Sequence, residues 1–466
     1  MSVVRFETPD YEVEAPVLVV GAGAAGLVAA LAARAKGAEI VVLERDPLPR
    51  GSTALSAGLI PAAGTRWQTA AGAQDSPELF AADILAKAEN EPDPAAVKRL
   101  AALSGPVIEW LADAHGLDFS LVDDFRYPGH SAYRMHGLPS RSGEELVDRL
   151  RQAAEAADVA ILTGAHVTAL FATPDRRVTG VEIARPDGSR ERIGCGALIL
   201  ACNGYGGNKE LVAQHIPQMR DALYFGHPGN QGDAVLWGEA LGARTRHLGG
   251  HQGHGSVAHP HGILITWATI MEGGVQVNAE GRRFADESQG YSEAAAGVIA
   301  QPDAIAFTIF DARIAGIARQ FEDFRQAEAQ GAVIEAADAT TLAERLGLPA
   351  DALAHTLDEV ERLKAQGGTD TFGRSFSGVK PLVPPYRAVR VTGALFHTQG
   401  GLVVDDDARV VGEDGGPLPN MFAAGGAACG VSGSKASGYL SGNGLLSAVA
   451  WGYAAGGAAA DDAASR

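Results

Sequence analysis

Near its C-terminal end the sequence reads ASGYLSGNGLLSAVAWGYAAG (436–456). It sets one phenol, Tyr439, just ahead of a turn of small residues, Ser441 to Gly444, and then an apolar, alanine-rich run. A phenol O–H is a directional donor, and the first N–H groups of a helix have no partner inside it. Together they suit an oxygen that gains negative charge during a reaction. Near the other end, PVLVVGAGAAGLVAALAARAKGAEIVVLER (16–45) carries G-x-G-x-x-G at Gly21, Gly23 and Gly26, followed by an acid, Glu44. The chemistry there is phosphate binding. Gly21 permits the tight turn, Gly23 lets backbone approach a pyrophosphate, and Gly26 lets helix and strand pack closely. Ala24 and Ala25 open the helix whose free N–H groups receive the phosphates, and Glu44 can accept from the adenosine ribose.

These groups need elements to hold them. VLVV reads as a buried strand, LVAALAARAKG as a helix ending at glycine, and IVVLE as a second strand, so the motif sits in a β-α-β unit. The loop that follows, RDPLPRGSTALSAGLIPAAGT, is dense in small residues and holds Arg45, Ser52, Thr53, Ser56, Ala57 and Gly58. Small residues suit a flat ring system and a pyrophosphate pressed on backbone, whereas an NAD-only domain continues with further βα units; FAD is the expected cofactor. Helices follow at SPELFAADILAKAEN and DPAAVKRLAALSGPVIEWLADAHG, each opened by a capping residue and a first-turn proline. Residues 159–202 alternate as strands with a hairpin turn at Asp187-Gly188. ALILACNGYGGN (197–208) returns a strand to the cofactor and supplies Ala201, Asn203 and Gly204. The expected architecture is α/β. A Rossmann-like FAD-binding domain (1–247 and 379–466) is interrupted by an inserted α+β capping domain (248–378), since insertion is cheap where chain ends lie close together.

The 466 residues are 46% hydrophobic and carry a net charge of −18, which argues against nucleic acid or an anionic membrane surface as partner. No apolar run reaches the roughly 18 residues that span a bilayer. The N-terminus lacks the order of a signal peptide, and Cys195, Cys202 and Cys429 form no CxxC or haem motif, so a cytoplasmic protein is expected. The histidines of HLGGHQGHGSVAHPHG (247–262) are irregularly spaced with no companion ligands, so no metal is expected there. His251 is a candidate substrate contact.

The chain resembles the fumarate reductase and succinate dehydrogenase flavoprotein superfamily, which includes the 3-ketosteroid dehydrogenases. The resemblance runs through GAGAAG with Glu44, STALSAGLIPAAGTRWQ, GNQGDAVLWGEALGA, GGVQVNAEGRRFADES, FHTQGGLVVDDDARVV, MFAAGGAACG and SGNGLL. It implies an FAD domain with a mobile cap and adds Val167, Asp233, Gly425, Gly426, Asn443, Gly444 and Leu445 to the cofactor-lining candidates. Members with covalent flavin carry His before the loop Thr. Ser52-Thr53 stands here, which implies non-covalent FAD. Fumarate reductases place one arginine after the RF-x-x-E strand, where RRFADESQGYSEAA has none downstream of Phe284 and Tyr291 stands in the general region. They place another where this sequence has Tyr439, and the two tyrosines resemble the ketosteroid dehydrogenase branch. His397, in FHTQGG, matches a family histidine that touches substrate.

Desaturating a ketone removes an α proton and a β hydride, with flavin as hydride acceptor. An arginine fork suits a dicarboxylate, while a neutral ketone needs one or two directional donors. Tyr439 beside the turn amides fits that task, with Gly442 contributing backbone to the substrate. Tyr291 is the candidate general base. An ordinary tyrosine pKa is about 10, so it needs a lowered value or a relay, in which Ser441 can take part. The expected substrate is a cyclic ketone, either a 3-ketosteroid or a smaller oxo-cycloalkane such as an oxocyclohexane carboxylate, with electrons leaving to an external acceptor or oxygen. Two other readings stay open. One is a soluble fumarate-reductase-like enzyme, for which Arg134, His251 and His397 are candidate cations, Arg134 and His136 lying in YRMHGLPSRSG. The other is an FAD electron-transfer protein with no substrate of its own.

Overall fold

The computed structural model describes residues 3–123 and 126–465. The chain divides into two compact units. Met1–Ile216, Gly226–His251 and His397–Arg466 form the first, and Pro217–Phe225 with Gln252–Phe396 form the second.

In the first unit, Val17 to Val20 are all buried, as a parallel strand covered on both faces should be. The strand Val13–Val20 lies parallel between Arg190–Leu200 and Ile40–Leu43, and Ala160–Leu162 extends the sheet. The register sets Leu200, Val20, Leu43 and Leu162 side by side. Beyond Arg190–Leu200, Val178–Ala184 pairs antiparallel with its first half across the turn at Gly188, and Pro417–Ala423 pairs parallel with its last residues. Several strands therefore end at one edge, so Gly21, Glu44, Ala201 and Gly425 emerge together. Ligands of open α/β sheets bind at such carboxyl ends.

The helix Ala24–Ala35 springs from that edge and packs on the last helix, Asn443–Ala464. A Cβ on Gly452 would lie 2.6 Å from the Ala25 carbonyl, and one on Gly456 2.1 Å from that of Ala29. Glycines four apart thus let the two backbones touch, which seats the start of the last helix near the glycine motif. The expected helix starts at Ser76-Pro77 and Asp93-Pro94 are present, each with a side-chain cap, and the second helix stops at Gly116 with φ +70°.

The second unit is built on a mainly antiparallel sheet in the order Ile263–Leu264, His251–Ala258, Tyr386–Thr398, Ile305–Asp311, Val275–Val277. Apolar clusters around Phe310 and Phe324, and around Leu342, Leu357 and Phe376, form its core. Its limits differ from the expected 248–378. Tyr386–Thr398 is the strand on which Leu223–Tyr224, Ile305–Asp311 and Val333–Ala336 all pair, so residues up to Phe396 belong here. Pro217–Phe225 joins for the same reason: Leu223 pairs with Ala394.

Candidate active site

At the sheet edge Gly21 has φ +105°, and a Cβ there would sit 2.5 Å from the Ala201 carbonyl oxygen; one on Gly26 would sit 1.9 Å from that of Gly21. Gly23 begins the helix without a side-chain cap. The Ala24 N–H donates to Thr53 Oγ1 (3.0 Å), tying the second loop to the first, and Ala25 follows in the same buried turn. Glu44 is buried, and its carboxylate accepts from the amides of Ala22 (2.9 Å) and Asp46 (3.0 Å). Arg45 donates to the Gly229 carbonyl (2.9 Å), holding the segment that leads to Asp233 at the start of its helix. Ser52 Oγ accepts from His227 N (3.2 Å) and Asn230 Nδ2 (2.8 Å). Ser56 donates to Thr53 O (2.7 Å) and accepts from Gly58 N (3.1 Å), so Ser56, Ala57 and Gly58 shape the loop. Ala201 N donates to Val20 O (2.9 Å). Asn203 has φ +65°, and its side chain accepts from Gly204 N (2.8 Å). Val167 is a buried strand residue paired with Ile183. The amide of Ala165, just before that strand, donates to Glu44 O (2.8 Å). Gly425 approaches Ala25, and Gly426 lies against Asn203.

The last helix starts at Gly442, again without a side-chain cap, and carries Asn443, Gly444 and Leu445 in its first turn. Asn443 Oδ1 and Ser447 Oγ are buried with no partner among the described residues. Orphaned buried polar atoms cost free energy unless a ligand satisfies them, and a flavin offers donors and acceptors along its ring edge. These two uncapped helix starts and the glycine cradle fit FAD.

Tyr439 precedes this helix and is 6% exposed. Burial pushes its phenol above the usual value of 10, against hydrogen bonds from the Gly444 and Gly442 amides. Amides aimed at the phenol oxygen leave its own proton as the donor. The His397 ring stands edge-on to it, 5.5 Å away, in space that a Cβ on Gly444 would enter at 2.8 Å from Cε1. Gly442 (φ +86°) would clash with Pro61 if substituted, so it shapes the turn. The Ser441 carbonyl accepts from His130 Nε2 (3.0 Å).

Arg134 lies behind this turn and is committed. Its guanidinium forks onto Asp75 (2.9 and 2.8 Å), pairs with Asp83, and approaches His130 Nδ1 (3.3 Å), with its side chain fully buried. Burial, helped by the Arg134 charge, holds His130 down to about 4. His136 is also buried, is held to about 4, and bonds Thr65 Oγ1 (2.9 Å) and Arg134 O (2.8 Å). His251 donates from Nδ1 to Gly249 O (2.9 Å), which leaves its buried Nε2 as an unpartnered acceptor among the described residues; burial lowers its pKa. Burial likewise holds His397 down to about 4. None of the three cation candidates offers a free charge.

Tyr291 lies in the second unit, as the first residue of the helix Tyr291–Ile299. The bonds that the Glu287 carboxylate accepts from Gln276 N (3.0 Å), Arg283 Nε (2.9 Å) and Nη2 (2.5 Å) and Arg374 Nη1 (2.9 Å) anchor the turn ahead of it. Its ring stacks on His254 at 4.9 Å, with Trp267 edge-on at 6.5 Å; His254 also stacks on Phe396 at 5.3 Å, which stacks on Phe225 at 4.7 Å. Burial takes His254 to about 3, and its Nδ1 accepts from Ser256 N (3.1 Å). Sequence reasoning passed over His254, Trp267, Phe396 and Phe225. The available signal was strand alternation in HQGHGSV, which turns residues 251 and 254 to opposite faces. Among the described residues no three His, Cys, Asp or Glu side chains come together to hold a metal ion, and no helix is long and apolar enough to cross a membrane.

The chain matches the FAD binding domain family over residues 16–445. It is 32% identical over 453 residues, 96% of its own length and 75% of the relative's, to "Probable fumarate reductase Ifc3" of Shewanella frigidimarina. The open conformation of a flavocytochrome c3 fumarate reductase superposes with a TM-score of 0.83 at 31% identity, covering 97% of this chain and 79% of that one. The 4-oxocyclohexanecarboxylate 2-dehydrogenase of Sinomonas cyclohexanicum is 27% identical over 559 residues, 96% of this chain and 95% of that protein. The chain belongs to the fumarate reductase and succinate dehydrogenase flavoprotein superfamily and is an FAD-dependent oxidoreductase of the fumarate reductase family.

Proposed function

We propose that this protein is an FAD-dependent desaturase that introduces a C=C bond α,β to the carbonyl of a cyclic ketone. The substrate class is a 3-ketosteroid or, in our preferred form, a smaller oxo-cycloalkane such as an oxocyclohexane carboxylate. One observation carries the reading: the turn that opens the last helix presents a buried phenol, and the nearby arginine is consumed by Asp75 and Asp83. A dicarboxylate needs a cationic fork, whereas a ketone oxygen needs a neutral donor. The likeness to a 4-oxocyclohexanecarboxylate 2-dehydrogenase over nearly the full length of both chains supports the smaller substrate.

In this mechanism Tyr439, neutral and held by the amides behind its oxygen, donates its proton in a hydrogen bond to the ketone oxygen. Tyr291 removes the α proton as that oxygen takes on enolate charge. Ser441 belongs to the same turn and completes a proton relay from the phenol. Aromatic rings around Tyr291 offer an apolar surface to a ring substrate. The glycine cradle at Gly21, Gly23 and Gly26 and the start of the last helix at Gly442 would hold FAD, which would supply an acceptor for the β hydrogen as hydride and an outlet for the electron pair to an external acceptor or oxygen.

The second reading, an enzyme acting on a C=C bond next to a carboxylate, is favoured by the 32% identity to a fumarate reductase. Anaerobic flavin bleaching sorts the two. Cyclohexanones, oxocyclohexane carboxylates and 3-ketosteroids are offered beside succinate, and fumarate is offered to the dye-reduced protein. Bleaching by a ketone with no turnover of succinate or fumarate supports desaturation, and the reverse pattern refutes it.

A further inference from the structure

We propose that Gln399, Ser432 and Asn443 are positioning residues that lock His397 as a neutral imidazole with its proton on Nε2, and that Gln399 thereby sets the site's preference for a ketone oxygen over a carboxylate. The preference rests on the desaturase reading; the lock rests on geometry alone.

The three side chains form one directed chain. Asn443 Nδ2 donates to Ser432 Oγ (3.1 Å), Ser432 donates its single proton to Gln399 Oε1 (2.8 Å), and Gln399 Nε2 lies 3.0 Å from His397 Nδ1. All three are buried, at 0%, 1% and 4% exposure for Asn443, Ser432 and Gln399, so water cannot reorder them. An amide N–H only donates, so Nδ1 must hold a lone pair, and a neutral ring then carries its proton on Nε2. The Thr398 carbonyl also faces Nδ1, but at 3.5 Å, beyond the usual range for this bond. Two glycines leave the room required: a Cβ on Gly430 would sit 3.0 Å from Gln399 Oε1, and one on Gly444 would press on the imidazole. His251 has the opposite tautomer, so of these two imidazoles one presents a donor and the other an acceptor at Nε2.

The chain also bars the charged form. An imidazolium needs an acceptor at each nitrogen, and at Nδ1 it would meet an amide N–H donor instead. A carboxylate, which gains most from an imidazolium, therefore finds only a neutral N–H, which serves a ketone oxygen equally well.

The test is NMR of isotope-labelled histidine ring nitrogens in the FAD-loaded protein, with Gln399→Glu as the variant. In the parent protein His397 is expected as the Nε2–H tautomer, unchanged between about pH 5 and 8. In Gln399→Glu the new oxygen accepts, so His397 is expected as Nδ1–H or imidazolium. Ketone kcat/KM should fall about tenfold or more, while succinate binds about tenfold more tightly at acid pH. An Nδ1–H signal in the parent protein, bonded to Thr398 O, overturns the lock, as does an unchanged tautomer in Gln399→Glu. If that variant does not fold, Ser432→Ala removes the donor to Oε1 and should let both tautomers appear; a single unchanged tautomer refutes the chain. The expected NMR result with no ketone turnover by the parent protein would leave the lock standing and sink the desaturase reading.

Discussion

Removing one oxygen atom from Tyr439 is the sharpest perturbation of the proposed chemistry. In Tyr439→Phe the ring keeps its edge-on contact with His397 at 5.5 Å and its buried place. What disappears is the donor and the acceptor for the Gly444 and Gly442 amides. These two losses act on different measurements. Unpaired buried amides cost about 1–3 kcal/mol and lower the melting temperature by several degrees at most. A donor that strengthens as enolate charge develops is worth about 2.7–4 kcal/mol in the transition state, or ~10²–10³ in rate. The loss should fall on kcat far more than on KM, because the ground-state carbonyl accepts only a weak bond. Stopped-flow anaerobic flavin bleaching at saturating ketone measures the step directly. Since burial holds this phenol above the usual range, no limb of the pH–rate profile belongs to it below about pH 10. A variant that bleaches at the parent rate would refute the assignment of Tyr439 as carbonyl donor.

Tyr291→Phe removes the proposed base and should slow bleaching by ~10²–10⁴; bleaching at the parent rate would assign the base elsewhere. Arg134→Met strands Asp75 and Asp83 in the interior and should cost about 3–5 kcal/mol, read as a lower denaturant midpoint. Conversion of succinate lost specifically through this variant, with stability unchanged, would instead make Arg134 a substrate clamp. His130 and His136 are held to about 4 in the fold, so stability is complete above the unfolded value near 6.5 and drains away as pH falls from there toward 4. Each should contribute about 2 kcal/mol of loss by about pH 5, and a urea midpoint that does not move between neutral pH and that point would contradict their neutral burial.

Much of the cofactor end was legible in sequence because backbone geometry dictates it. Only glycine fits at positions 21 and 26, where a Cβ would strike a carbonyl, and strand periodicity places Glu44 at the same edge. Helix starts at residues 76 and 93 were readable for a similar reason, since capping chemistry is local. The limit of the second unit was not. Residues 379–396 look like any alternating strand, and nothing local says that they pair with Ile305–Asp311 in the second unit. The fate of Arg134 was equally invisible: a cation 59 residues from Asp75 in sequence announces no pairing, and only the fold brings them to 2.8 Å. The same holds for Gln399, Ser432 and Asn443, whose separations of 33 and 11 residues match no motif.

What separates the two enzyme readings is therefore charge placement more than overall likeness. Identity to a fumarate reductase measures shared backbone and cofactor cradle, which both chemistries require. A carboxylate drawn out of water pays a desolvation penalty of several kcal/mol per ion, and only a fixed cation offsets it. In the first unit the nearby arginine already serves two aspartates, and the imidazoles of residues 251 and 397 are neutral by burial. Neutral donors gain little from a resting carboxylate but much from an oxygen that becomes negative only at the transition state, which is the demand of α-proton removal from a ketone. A substrate that carries both groups, such as an oxocyclohexane carboxylate, meets this environment when its ketone faces the phenol and its carboxylate keeps its water.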